Sequence, residues 1–220
     1  MSPPRTDHDA RRHDVSEAVW RVLAEHGFAG LTLRAVAAAM GASTGLVTHY
    51  FAGKHELIAH ALDILEARTQ QRPRLKAPAI GLPTLRAHML DILPLTSEGV
   101  AMNRIWVGSW DVALSDPALF AAQATRYERI RAGLCTAIED AQRLGELPTL
   151  ADAQRLAATA LSFTHGLVVQ ALFAPERFPA EHQIELVDDF LATLTAERDR
   201  GWPTDPSGWS HKQESPGQMH

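Results

Sequence analysis

Gly41-Ala42-Ser43-Thr44-Gly45 spells the GxSxG pattern of a nucleophile elbow, and His55-Glu56 with His60 comes within one residue of a zinc-protease HExxH. Neither supports its chemistry. A nucleophile elbow needs a strand before its serine and a histidine partner, whereas the residues before Ser43 have helical periodicity, so Ser43 reads as a helix cap. On a helix, residues five apart lie roughly 140° apart around the axis, against about 40° for residues four apart. His55 and His60 therefore do not share one tetrahedral zinc and read as surface groups. No catalytic residue, metal or cofactor is expected. Hydrogen-bonding chemistry remains. Thr44, Gly45, Thr48 and His49 make the small polar outer face of a short helix, which is what a reader of the DNA major groove requires. Further on, Trp106 and Trp110 stand one helical turn apart. They either line a pocket, even an aromatic cage for a cation, or belong to the core. His165 is either a polar group of that pocket or a buried helix histidine.

The elements that must position these residues follow from caps and periodicity. Thr32 caps a helix whose Leu33, Val36, Ala37 and Met40 form one apolar face, and Gly41 ends it by taking the left-handed turn conformation. Ser43 caps the next helix, over about 44–50, with Val47 and Phe51 inward. A first helix over about 9–26 carries Val15, Ala18, Val19, Val22 and Leu23 on one stripe and stops at Gly27. A fourth, over about 54–72, turns Leu57, Ile58, Ala61, Leu62 and Leu65 inward. The proline-rich stretch 73–83 is the best internal boundary. Beyond it, helices are expected from Pro83 to Pro94, over 98–114, from Asp116-Pro117 to Leu144 before Gly145, over 149–173 and over 180–196. No alternating β-branched run or hairpin dipeptide occurs, so the fold class is all-α with about nine helices. The polar tail 201–220, rich in proline, glycine and serine, reads as disordered.

Composition narrows the function classes. The chain has 220 residues, 45% of them hydrophobic, enough for one large or two small domains with a real core. A single cysteine, Cys135, excludes an internal disulfide framework and reads as a small packed side chain. No run of 18 apolar residues occurs, and the start MSPPRTDHDARR lacks a signal peptide's apolar segment, so a soluble, cytoplasmic protein without a membrane partner is expected. The net charge of −5 is unevenly spread: the first 72 residues carry eight basic and eight acidic side chains, the rest 13 and 18. DNA binding must then come from placement rather than bulk charge, with few phosphate contacts.

Phe28, Thr32, Gly41, Ser43, Gly45, the His49-Tyr50-Phe51 triplet, Lys54 and Leu57 together resemble the N-terminal domain of the tetracycline-repressor (TetR) family over about 10–65. The resemblance implies a homodimeric all-helical repressor: a three-helix helix-turn-helix domain (1–53), a connecting helix (54–72), a helical ligand-binding and dimerisation domain (73–198) and the tail (199–220). It implies a DNA-facing set of Thr32, Ser43, Thr44, Gly45, Leu46, Thr48, His49, Tyr50 and Lys54, with Lys54, Thr32 and Tyr50 against phosphate. Thr44, Leu46, Thr48 and Ala52-Gly53 depart from the family's usual reader, which bears on the operator sequence rather than on DNA binding. Trp106 and Trp110, Asp116-Pro117, Gly145-Glu146, His165-Gly166-Leu167 and the ending from Phe178 to Phe190 resemble the subgroup of the choline-responsive repressor of betaine synthesis. Histidine at 165, where that subgroup suggests an acid, argues against a quaternary-ammonium effector. The ligand-binding set is Trp106, Trp110 and His165, and the expected partners are double-stranded operator DNA, a second copy of the chain and a small organic effector. The copy is expected to meet the small-residue stripe of Ala153, Ala157, Ala160, Thr164 and Ala171 and the apolar stripe of Ile184, Val187, Phe190, Leu191 and Leu194. Two rivals stay open: a helical small-molecule enzyme or carrier, and a DNA-binding regulator without an effector.

Overall fold

The computed structural model describes residues 5–196, with side chains from residue 11. The expected disorder of the tail, with Trp202 and Trp209, lies outside them. The described residues form ten helical segments and no strand: α1 (Arg5–Gly30), α2 (Leu33–Met40), α3 (Thr44–Thr48), α4 (Lys54–Gln71), α5 (Leu82–Ile92), α6 (Ser97–Gly108), α7 (Trp110–Ser115), α8 (Pro117–Arg143), α9 (Ala153–Phe173) and α10 (Ala180–Ala196). Only Ser109 separates α6 from α7, so the count is nine if that pair is taken as one bent helix.

Local chemistry sets most of these boundaries. Gly27, at φ 61° and ψ −168°, breaks the helical backbone of α1, and the chain makes one more turn to Gly30. Thr32 Oγ1 accepts from the Ala35 amide at 3.0 Å and opens α2, which Gly41 closes at φ 63°. Arg72 is extended because it precedes Pro73, and this ends α4. Asp116 caps α8 by accepting from Ala118 and Leu119, with Pro117 in the first turn. The helix expected from 149 begins instead at Ala153, capped by Asp152, because Pro148 to Ala151 form a turn. The expected single helix 98–114 divides because the buried Ser109 hydroxyl donates to the Trp106 carbonyl at 2.6 Å, back-bonding that bends helices.

Two apolar clusters form the interior. The first joins α1 to α4 and extends through Met102, Ile105 and Trp106 of α6 to Ala113 and Leu119. The second is built from α5, α8, α9 and α10. Here one expectation is corrected. Ala157 and Ala160 of α9, with Val187, Leu191 and Leu194 of α10, are buried within this second core; Thr164 and Ala171 are buried too, and Ala153, Ile184 and Phe190 pack partly buried against it. Their small and apolar side chains let α8 and α5 pack closely on α9, and α5 on α10, so the buried parts of these stripes are not free to meet a second copy.

Candidate DNA-reading helix and effector cavity

α3 is short because its work is local. Ser43 Oγ accepts from the Leu46 amide at 3.4 Å, and the Thr48 hydroxyl donates to the Gly45 carbonyl at 2.9 Å. Val47, fully buried, and Phe51 anchor it in the first core. Ser43, Thr44, Gly45, Leu46, Thr48 and His49 are all exposed around that anchor, and so are Thr32 and Lys54. Tyr50 is half-buried against the first core with its ring edge-on to His49, centroids 5.7 Å apart. The structure thus places eight of the nine expected DNA-facing residues at the surface, and the ninth partly so. The helix-turn-helix is held from behind by α4, where Glu56 Oε2 accepts from the Ala52 amide at 2.7 Å.

Of the two histidines expected at the surface, His55 is there and His60 is not. His55 is exposed, but its Nδ1 lies 2.8 Å from Asp116 Oδ2, tying the first turn of α4 to the first turn of α8. His60 is half-buried, 3.0 Å from Ser16 Oγ and packed on Phe51 at 5.1 Å between ring centroids. Burial holds its pKa below the usual histidine value, only partly opposed by Asp63.

Trp106, Trp110 and His165 come together on the wall of one cavity of about 340 Å³ between α4, α5, α6, α7, α8 and α9. Trp106 is both core and wall: it is buried, and its indole N–H donates to Thr69 Oγ1 of α4 at 3.0 Å. The His165 ring meets Tyr127 and Trp110 edge-to-face, with centroids 5.2 and 6.3 Å apart. Burial, reinforced by the Arg126 charge, lowers the His165 pKa from 6.5 to about 4, so the ring is neutral at pH 7.

The wall also holds charges that the sequence reading missed. The Arg126 guanidinium lies over the Trp106 ring, 3.4 Å from its centroid. Arg126 and Arg129 both reach Glu66 of α4, at 3.1 and 2.8 Å. Arg72, Arg74 and Asp91 complete the charged lining. Asn103 donates to the carbonyls of Ile92 and Gly99, joining α5 to α6 beneath it. A signal existed for two of them. Arg126 follows Leu119 by seven residues and precedes Ile130 and Leu134 at four-residue steps, and Glu66 follows Leu62 by four, so both charges sit on inward stripes. Arg72, the last residue before a proline, carried no such mark.

Comparison with known proteins matches residues 16–61 to the tetR family of bacterial regulatory proteins and residues 83–196 to the C-terminal domain of BetI-type transcriptional repressors. The chain is 25% identical over 200 residues to the HTH-type transcriptional regulator PksA of Bacillus subtilis, covering 90% of this chain and 96% of that one. It is 28% identical over 193 residues to the HTH-type transcriptional regulator BetI of Paraburkholderia phymatum, covering 86% and 95%. Among solved structures, a transcriptional regulator from Rhodococcus sp. Rha1 superposes with TM-score 0.68 at 28% identity, over 84% of this chain and 95% of that one. A regulator from Saccharomonospora viridis, crystallised in complex with choline, shares the fold with TM-score 0.71 at 20% identity, over 84% and 96%. These relatives are regulators and not enzymes, which removes the enzyme reading. With both halves matched and the reader exposed on its anchor, the chain belongs to the TetR family of transcriptional regulators and carries a BetI-type C-terminal domain.

Proposed function

We propose that the protein is a homodimeric repressor that binds an inverted-repeat operator and leaves it when a small organic effector fills the cavity. The observation that carries this reading is the path of α4. Its first residue, Lys54, stands exposed beside the reader, and its last turns, with Glu66, Thr69 and Gln70, form one wall of the cavity. Its 18 residues span about 27 Å as one rigid element. A ligand that shifts this wall also shifts the base of the helix-turn-helix, and the contact between His55 and Asp116 couples the same end of α4 to α8. The effector acts through its higher affinity for the spacing of the two readers that no longer matches successive major grooves, about 34 Å apart. Thr44, Gly45, Thr48 and His49 face bases in this reading, Ser43 and Leu46 flank them, and Thr32, Tyr50 and Lys54 face phosphate.

The dimer forms through the outer faces of α9 and α10. α9 is long and apolar enough to cross a membrane by length and composition, yet only 44% of its most apolar stretch is buried within one chain. Thr159, Ser162, Gly166, Gln170 and Phe173 line its uncovered side at helical spacing, Phe173 being 82% exposed and Gly166 facing open space. Small residues along such a face admit a second helix closely. DNA selected by the purified protein, titrated with protein in the presence and absence of candidate small molecules, tests the reading: the account expects one dimer per inverted repeat and release by a ligand of the cavity. Binding that no cavity ligand alters would leave an effector-independent regulator.

A further inference from the structure

We propose that the cavity takes an organic anion, a flat or flexible apolar body bearing one carboxylate or equivalent group that accepts a hydrogen bond from Arg72. The inference rests on the effector-controlled reading above and narrows the effector's chemical class. It comes from following each charge on the wall to its partner. Glu66 gives Oε2 to Arg126 and Oε1 to Arg129, and Oε1 also accepts from Gln70 at 2.7 Å. Asp91 Oδ1 accepts from the Leu75 amide at 3.0 Å, and Oδ2 lies 4.0 Å from Arg74. Both carboxylates of the wall are therefore engaged by the protein's own donors. Arg72 differs: Asp91 and Glu98 act on it through charge alone, and its Nε is buried with no hydrogen-bond partner among the described residues. Arg72 is only half-buried as a whole, but this one donor reaches neither water nor an acceptor, and an anionic acceptor brought to its guanidinium gives the strongest relief.

The same wall serves a cation poorly. Four guanidinium groups line it against two carboxylates. The ring face of Trp106, one of the two indoles on the wall, is already covered by the guanidinium of Arg126. His165 adds no negative charge. The uncovered aromatic surface, from Trp110, Tyr127 and His165, suits an apolar body instead. A volume of about 340 Å³ holds on the order of ten non-hydrogen atoms, at about 30 Å³ each, a water molecule's share of the liquid. Phenylacetate is of that size.

Calorimetric titration of the full-length protein with phenylacetate, 4-phenylbutyrate and octanoate, each beside its own amide, and with phenylethylammonium and choline tests the inference. At least one acid is expected to bind tenfold or more tightly than its amide, and both cations more weakly than either. Arg72→Gln should bring acid and amide affinities together while leaving the unfolding temperature unchanged or raised. An amide or a cation binding as tightly as the acids, no acid binding at millimolar concentration, or an acid preference that survives Arg72→Gln would overturn it. The wild-type comparison of acid with amide decides even if the variant fails to fold. Repeating the titrations on operator-bound protein separates the two claims. Release by an amide or a cation keeps the effector reading and defeats the anion site. An acid that binds through Arg72 without releasing DNA keeps the anion site and defeats the effector reading.

Discussion

Lys54 and His165 show how single charges, or their absence, act in this protein. Lys54 is an exposed cation at the first turn of α4, six residues after the end of α3, and in the proposed function it faces phosphate rather than bases. Lys54→Ala should weaken binding to every DNA sequence alike and make the dependence of log affinity on log salt about one unit shallower. Thr48→Ala or His49→Ala should instead change which bases are preferred. Binding titrations at several salt concentrations check both, and an unchanged salt slope for Lys54→Ala removes the phosphate contact. His165 makes a prediction about stability. Its folded pKa of about 4 lies below the unfolded 6.5, so the unfolded chain takes up a proton first as pH falls. Its contribution is complete above pH 6.5 and is lost progressively down to about pH 4. At about 1.4 kcal/mol for each pKa unit, the loss is about 3 kcal/mol per chain. His60, also lowered by burial, acts in the same direction, so the wild type alone does not isolate the effect. Urea unfolding of wild type and His165→Asn between pH 7 and pH 4 does: the variant should lose stability less steeply, and parallel curves would count against a neutral buried His165.

The helices owe their boundaries to local chemistry, and those were the most legible features of the sequence. Thr32, Ser43 and Asp116 announce their caps and Gly41 its stop because each acts on amides or dihedrals within a few residues. The break at Ser109 was missed although Gly108-Ser109 is a glycine–serine pair of the kind that bends helices, because the hydroxyl turned back onto the Trp106 carbonyl lies in a buried place that spacing does not reveal. The two stripes of α9 were also indistinguishable by spacing. A run of small residues looks the same whether it receives a helix of its own chain or of another. The structure separates them, and two substitutions test the result. Ala160, fully buried, sits in the core, so Ala160→Asp strands a charge there and should unfold the chain. Gly166 faces open space, so Gly166→Arg should leave a folded chain that sediments as a monomer. A dimeric Gly166→Arg protein would move the interface away from the outer face of α9.

At the scale of the whole molecule, the reader and the cavity lie at opposite ends of α4, the arrangement by which the proposed function links recognition to response. The sequence showed the reader well, because its residues are contiguous and their spacing is a helix's own. It showed the cavity only in part. Trp106, Trp110 and His165 were visible by type, and Glu66 and Arg126 lay on inward stripes, but no local pattern brings the end of α4, with Glu66 and Arg72, together with Arg126 of α8. The net charge of −5 was misleading for the same reason: sign and position matter on a cavity wall and on a groove reader, and the total records neither. In the proposed dimer, two readers related by a two-fold axis make one sharp demand on the DNA. Selection of fragments from a random duplex pool by the purified full-length protein, followed by sequencing of the bound fraction, tests it most directly. The account predicts enrichment of an inverted repeat whose half-sites lie on successive major grooves, altered in sequence by Thr48→Ala. A bound fraction with no sequence in common, or with single unrepeated half-sites, would contradict it.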